Sequence, residues 1–397
     1  MTVPPPPMHR QDERTTTAVV ILTWLATRVL AVVSVDMTPW MLHDIEIYGD
    51  WAPILSTGAF PADDPTWQYP PGIAPLFVAA GALAIDFRWA FTLAVLLVDA
   101  ALLAVLLTAR RRHPDASWRG PWLWALAGLI IGPIMMVRFD VVPTLFAVLA
   151  VVLVARPTWS GAAAAAGALT KVWPALMLLI LPRRALPRGL AGFAAVVVAG
   201  LLVASVTMTD SLAFLSNQQS RGLQVESLGA WPYELWSVLG GTVDFGLEYG
   251  SIQVRMAGTE GVGLAIMAVG LVILGVLGWA RLAGRLEEVP PGDVALTVVL
   301  VSLVTSRVNS PQFTVWLIGL SAAALLDRRS RMRTAVGLVV LAAILTQLVY
   351  PWSATQLVTG SAFIVGVQGV RLLLLLVATV MGLHAVLWRR ERGRGAR

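Results

Sequence analysis

The chain has 397 residues, is 57% hydrophobic and only 13% charged, and has a mean hydropathy of +0.76. That composition leaves too little polar surface for a water-soluble protein of this size and indicates a polytopic helical membrane protein. The absence of cysteine excludes disulfides, thiolate catalysis and cysteine-ligated metals.

The formal charge of +6 comes from arginines in short segments between apolar runs, a topological pattern and not a nucleic-acid-binding face. The histidines, His9, His43, His113 and His384, are scattered without metal-ligand spacing. Along the chain, residues 1–17 are polar and are expected to form a disordered cytoplasmic tail. The apolar run 18–35 lacks a small-residue cleavage site and is expected to be retained as the first span. Further spans are predicted at 88–109, 121–137, 139–155, 188–208, 259–280, 292–306, 310–326, 333–350 and 361–388, ahead of a basic cytoplasmic tail at 389–397. The expected fold is all-α, a single membrane domain over 18–388 with about 10–12 transmembrane helices and outer loops at 36–87 and 209–258.

Of the 28 arginines, 21 fall within 10–14, 110–119, 156, 183–188, 281–285, 328–333 and 389–397, which assigns those segments to the cytoplasm. Residues 29–87 have the opposite bias, with no Lys or Arg but with Asp36, Asp44, Glu46, Asp50, Asp63, Asp64 and Asp86. Two apolar segments then fail as simple crossings. "GIAPLFVAAGALAID" (72–86), at about 14 apolar residues, is expected to be interfacial or re-entrant. "WSGAAAAAGALTKVWPALMLLILPRR" (159–184) has arginines on both sides. It is predicted to enter and return as two half-helices broken near Pro174, with Lys171, the only lysine, at the outward tip facing a cavity.

Eight cations remain outside the cytoplasmic set: Arg28, Arg88, Arg138, Lys171, Arg221, Arg255, Arg307 and Arg371. Each is read either as pairing with an acid or snorkelling to a headgroup, or, as part of a set, as serving an outer site for a phosphate. Asp140 is expected to pair locally with Arg138. The outer loops mix carboxylates and amides with aromatic rings, which suits a sugar's apolar face and hydroxyl rim. Trp51 and Trp231 fit an interfacial aromatic belt equally well.

"DIEIYGDWA" followed by "WQYPPG" resembles the first outer loop of GT-C glycosyltransferases, especially glycosyltransferase family 87, the polyprenyl-phosphate-mannose-dependent mannosyltransferases of actinobacteria. "GALTKVWPAL" resembles that family's Gly…Lys…Pro segment, and "RGLQVESL" and "SPQFTVWL" resemble its later outer loop and a downstream span. The similarity runs in order over most of residues 36–320. It implies a GT-C-type bundle with interfacial helices in the first outer loop, and an inverting transferase whose site faces outward from the plasma membrane. The implied donor is a polyprenyl-phosphate sugar, mannose first, and the implied acceptor an extracytoplasmic glycolipid or glycan, with no cofactor and no metal. Asp44 matches the first-loop aspartate implied as general base, taking the acceptor hydroxyl proton. Lys171, with Arg138, Arg221 and Arg307, is assigned to the leaving phosphate. Glu46, Tyr48, Asp50, Tyr69, Glu226 and Gln312 are assigned to the sugar or acceptor.

Alternatives stay open at this point. Glu46 or Asp50 could be the base, Asp44 and Glu46 could hold a divalent cation, and Lys171 could be an ion-pair strut for the hairpin. Glu226 could contact sugar hydroxyls or the base of its loop. The Arg-for-Lys bias with abundant Ala, Val and Gly indicates a GC-rich genome, compatible with an actinobacterium, and an arabinofuranosyl donor fits the same fold. From other classes, a non-catalytic scaffold or a lipid or glycan flippase competes. Against a flippase, no internal repeat relates the two halves, and the acids cluster in outer loops instead of at the midplane.

Overall fold

An α-helix rises 1.5 Å per residue, so crossing ~30 Å of hydrocarbon takes about 20 residues. The computed structural model describes residues 10–113, 116–215, 222–248 and 250–388. The expectations for residues 1–9 and 389–397 lie outside the described residues, as does Arg221. In chain order the helices are α1 (Arg10–Asp36), α2 (His43–Ser56), α3 (Ala74–Gly81), α4 (Phe87–Arg112), α5 (Arg119–Ala125), α6 (Ala127–Ile131), α7 (Ile134–Val137), α8 (Val141–Val152) and α9 (Pro157–Ala168). There follow α10 (Leu186–Thr207), α11 (Trp231–Val238), α12 (Thr259–Leu282), α13 (Pro291–Val304), α14 (Phe313–Leu326), α15 (Arg333–Val349), α16 (Ala354–Val358) and α17 (Ala362–Leu387).

Among the described residues, α1, α4, α10, α12 and α17 are long and apolar enough to cross a membrane, so the chain is a helical membrane protein. Helix α1 reaches back to Arg10 through polar residues expected in the tail. Helices α10 and α12 turn Leu202, Val203, Leu271 and Val272 outward, an apolar surface suited to lipid tails. The predicted spans at 139–155, 292–306, 310–326 and 333–350 are helices of 12, 14, 14 and 17 residues. Of these, α13 and α14 are buried on nearly every face and form the centre of the bundle.

The span expected at 121–137 is not one helix but α5, α6 and α7. Gly132 adopts φ +70° and Pro133 has no N–H, so the helix cannot continue. The Gln347 amide donates to the carbonyls of Leu129 and Ile130 at 2.8 Å, supplying the partners the break removes. Within 209–258 lies a small antiparallel sheet that the all-α reading did not include. Strands β1 (Leu223–Gln224), β2 (Phe245–Glu248) and β3 (Ser251–Val254) lie in the order β1-β3-β2, with Val254 opposite both Leu223 and Phe245.

The 159–184 segment is broken where its sequence places the break. Helix α9 ends at Ala168, and a 3₁₀ helix runs from Trp173 to Ile180. A Cβ on Gly167 would lie 2.8 Å from the Pro174 ring, so this glycine lets the returning arm fold against the first. A Cβ on Gly161 would lie 1.9 Å from the Gly189 carbonyl, which shows backbone-to-backbone packing of α9 on α10. The 36–87 loop docks onto this break. Gly72 N–H donates to Leu169 O at 2.8 Å, satisfying a carbonyl left free past the end of α9.

Several of the arginine-rich segments meet pairwise. Arg110 lies 3.4 Å from Glu13, Ser117 N–H donates to Leu326 O, and Arg183 N–H donates to Glu287. Several of the cations set aside as a candidate phosphate site are struts. Arg28 makes a two-pronged pair with Asp99 at 2.7 and 2.9 Å and donates to the Trp124 and Ala125 carbonyls, tying α1 to α4 and α5. Arg88 pairs with Asp36, and Arg255 with Asp244 at 2.9 Å. Arg371, buried in α17, donates to Thr346, Gln368 and the carbonyls of Glu226 and Asn309.

Candidate functional site

Helix α2 buries Ile45, Tyr48, Trp51, Ala52 and Leu55, an i, i+3, i+4 pattern that defines one inward face. Asp44 stands in its first turn at the edge of that face, with its side chain 15% exposed. Glu46, about 200° further round the helix, is 70% exposed and lies 3.5 Å from His43. Asp50 is also exposed. The structure therefore does not bring Glu46 or Asp50 to the cavities, and Asp44 and Glu46 diverge too far to chelate a cation together. Trp51 and Trp67 are buried, and Trp51 donates to Asp64 at 2.7 Å, so Trp51 is not a belt residue at the interface.

Two ion pairs organise the site. Arg138 binds Asp44 at 2.6 Å, and Lys171 binds Asp140 at 2.6 Å. The expected local pair of Arg138 with Asp140 is thus corrected: each takes a partner from another part of the chain. The geometry also supplies the strut that was the alternative reading of Lys171. Its ammonium lies 4.9 Å from the Phe139 ring, 5.3 Å from Trp316, 5.5 Å from Tyr69 and 5.6 Å from Phe313. Such ring faces attract a cation that burial has stripped of water. Trp316 Nε1 donates to the same Asp140 oxygen at 2.6 Å, and Trp173 stacks on Trp316 with centroids 4.9 Å apart.

Two adjoining cavities open around these pairs. The first, about 240 Å³, is lined by Asp44, Tyr48, Tyr69, Arg138, Glu226 and Gln312, with Trp40, Ile47 and Trp51 as an apolar wall. The second, about 310 Å³, is lined by Lys171, Arg307, Gln68, Ser306 and the Phe313 and Trp316 rings. Tyr69, Ser310 and Gln312 line both. The β2–β3 hairpin closes over the first through Leu247, Ser251 and Ile252. Of the residues proposed from sequence, Asp44, Tyr48, Tyr69, Arg138, Lys171, Glu226, Arg307 and Gln312 converge here, and Arg221 lies outside the described residues.

Burial pushes the Asp44 carboxyl above its ordinary range, against the opposing pull of Arg138. Burial raises Glu226 to about 7, opposed by Arg371. The sequence reading missed Gln224, Ser310, Tyr350 and the Phe139, Phe313 and Trp316 rings around Lys171. Phe313 and Trp316 stand i, i+3 on one helical face, a spacing present in "SPQFTVWL" that reads as ordinary core.

No curated protein and no solved structure matches the chain. The model of glycosyltransferase family 87 matches residues 67–311, from the tryptophan that opens the stretch docked on the hairpin to the proline between the shared cavity residues Ser310 and Gln312. That match spans more than half of a helical membrane chain with a polar double cavity. The chain belongs to glycosyltransferase family 87.

Proposed function

We propose that the two joined cavities house an inverting sugar transfer from a polyprenyl-phosphate donor, mannosyl in our reading, to an extracytoplasmic glycolipid or glycan acceptor. One observation carries the reading. A largely buried carboxylate on a rigid helix shares cavity walls with a pocket holding Lys171 and Arg307. Asp44 follows the Asp36 end of α1, which pairs with Arg88, whereas the Glu13 end of α1 meets the arginine-rich segment at Arg110, and this separation supports an outward-facing active site.

In this mechanism Asp44 accepts the proton of an acceptor hydroxyl as that oxygen bonds to the anomeric carbon. The carbon–oxygen bond to phosphate breaks on the opposite side, and its electron pair leaves with polyprenyl phosphate. Arg307 and Lys171 stabilise that anion. Arg138, already engaged by Asp44, is assigned to orient the base and not to bind the phosphate.

Asp44→Asn keeps a hydrogen-bond acceptor for Arg138 but removes the base. Turnover is expected to fall roughly 10²–10⁴-fold with donor binding intact. Near-normal turnover in membranes supplied with polyprenyl-phosphate mannose would end Asp44's role. The raised proton affinity gives a pH signature. The charged, basic form exists above the raised pKa, so kcat/KM falls as pH drops through it. The acid limb should therefore lie above the ordinary aspartate value of about 3.9. A limb at or below that value contradicts the assignment.

Lys171→Met leaves Asp140 buried without its cation and should lower the melting midpoint in detergent. Adding Asp140→Asn removes the unpaired charge and should recover much of that stability. If Lys171 also meets the donor phosphate, the double variant stays roughly 10- to 150-fold weaker for donor, the worth of one charge-assisted hydrogen bond. Wild-type donor affinity in the double variant would confine Lys171 to its role as a strut.

A further inference from the structure

Glu226 is 8% exposed and lines the first cavity, yet its Oε2 has no hydrogen-bond partner among the described residues. A buried carboxylate oxygen left unsatisfied costs free energy, so a native site that keeps one has a use for it. The rest of the residue is firmly held. The Gln224 side chain and the residue's own backbone N–H bond its carboxylate, and Ser310 donates to Gln224 Oε1 at 3.0 Å. Arg371, 1% exposed, donates to the Glu226 carbonyl at 3.2 Å and is itself fixed by Thr346 and Gln368 at 2.9 Å. The surrounding bonds fix a residue that lines the cavity and leave its buried Oε2 without a partner among the described residues.

A second unsatisfied atom lines the same cavity. The Tyr48 hydroxyl, on a residue 2% exposed, also has no partner among the described residues. Its ring is held by Trp51, Phe77, Phe91 and Phe139 at centroid distances of 4.8–5.7 Å. A fixed acceptor, a fixed hydroxyl and an apolar wall of Trp40, Ile47 and Trp51 complement a ring with hydroxyls on its rim. At about 240 Å³ the cavity has room for one sugar ring.

We propose that Glu226 Oε2 accepts a hydrogen bond from a hydroxyl of a single sugar ring seated in the first cavity, and that it determines which sugar is accepted there. This rests on the glycosyl-transfer reading above. The hydroxyl belongs to the donor's ring or to the acceptor's terminal ring, and the test separates the two.

The full chain in detergent is compared with Glu226→Gln, which keeps size and replaces the carboxyl by an amide, and with Glu226→Asp, which keeps the carboxyl and withdraws the oxygen. Three quantities are measured: affinity for polyprenyl phosphate, affinity for polyprenyl-phosphate mannose, and KM for octyl α-mannoside as acceptor. Both variants should match wild type for sugar-free polyprenyl phosphate while losing roughly 10- to 150-fold with a sugar-bearing ligand. A loss in the mannosyl donor's affinity assigns the hydroxyl to the donor ring, and a rise only in the KM of octyl α-mannoside assigns it to the acceptor. If Glu226→Gln lowers the melting midpoint, Glu226→Asp gives the decisive comparison. Wild-type values for both sugar ligands in the folded variants overturn this inference alone. A wild-type protein that binds neither form of polyprenyl phosphate overturns it together with the transferase reading.

Discussion

The site depends on one buried ion pair, Lys171 with Asp140, at the point where the 159–184 hairpin breaks. Two charges taken out of water lose several kcal/mol of hydration apiece, and Coulomb attraction restores that only with good geometry and further hydrogen bonds. Here the ammonium gains four ring faces, and the carboxylate gains the Trp316 indole N–H. The pair thereby draws together the break after α9, the start of α8, the 36–87 loop through Tyr69, and α14 through Phe313 and Trp316. The Gly72–Leu169 hydrogen bond fastens the same junction through the backbone. Backbone that leaves helical geometry needs burial in protein or a cavity to line, and this junction has both.

The second pair, Asp44 with Arg138, follows from the first. Arg138 and Asp140 flank Phe139, whose ring contacts both Tyr48 and Tyr69. With Asp140 taken by Lys171, Arg138 is left to face the first cavity and meets Asp44 arriving on α2. Burial favours the neutral acid and Arg138 favours the carboxylate, with burial the larger influence on Asp44. A general base works best when its proton affinity approaches the working pH, so an oriented carboxylate displaced upward suits proton abstraction. A bare surface aspartate would be too weak a base, and a fully buried unpaired one would stay protonated.

Much of the architecture was legible because length and apolarity leave few choices in a membrane. The spans at 18–35, 88–109, 188–208, 259–280 and 361–388 fall within or closely match the five long helices. The hairpin was legible too, because arginines at both ends and Pro174 in the middle allow little else. The partners of the charges were not. Asp140 lies two residues from Arg138 but 31 from Lys171, and only the fold decides that it binds the distant cation. Arg28 likewise reads as a stray charge until Asp99, 71 residues on, is brought beside it. The breaks in 121–137 depend on Gln347, more than 200 residues away. The β1–β3–β2 sheet escaped because its strands are two to four residues long, too short for an alternating pattern to register.

The central claim is a single displacement at the anomeric carbon, with Asp44 acting as base and never as nucleophile. A carboxylate that deprotonates the incoming hydroxyl gives inversion, whereas one that attacks carbon gives a covalent sugar adduct and net retention. The most direct measurement is the anomeric configuration of the transferred sugar in the isolated product, read by NMR against that of the donor. The account predicts the opposite configuration. A retained configuration, accompanied by a glycosyl adduct on Asp44 detected by mass spectrometry, would contradict it.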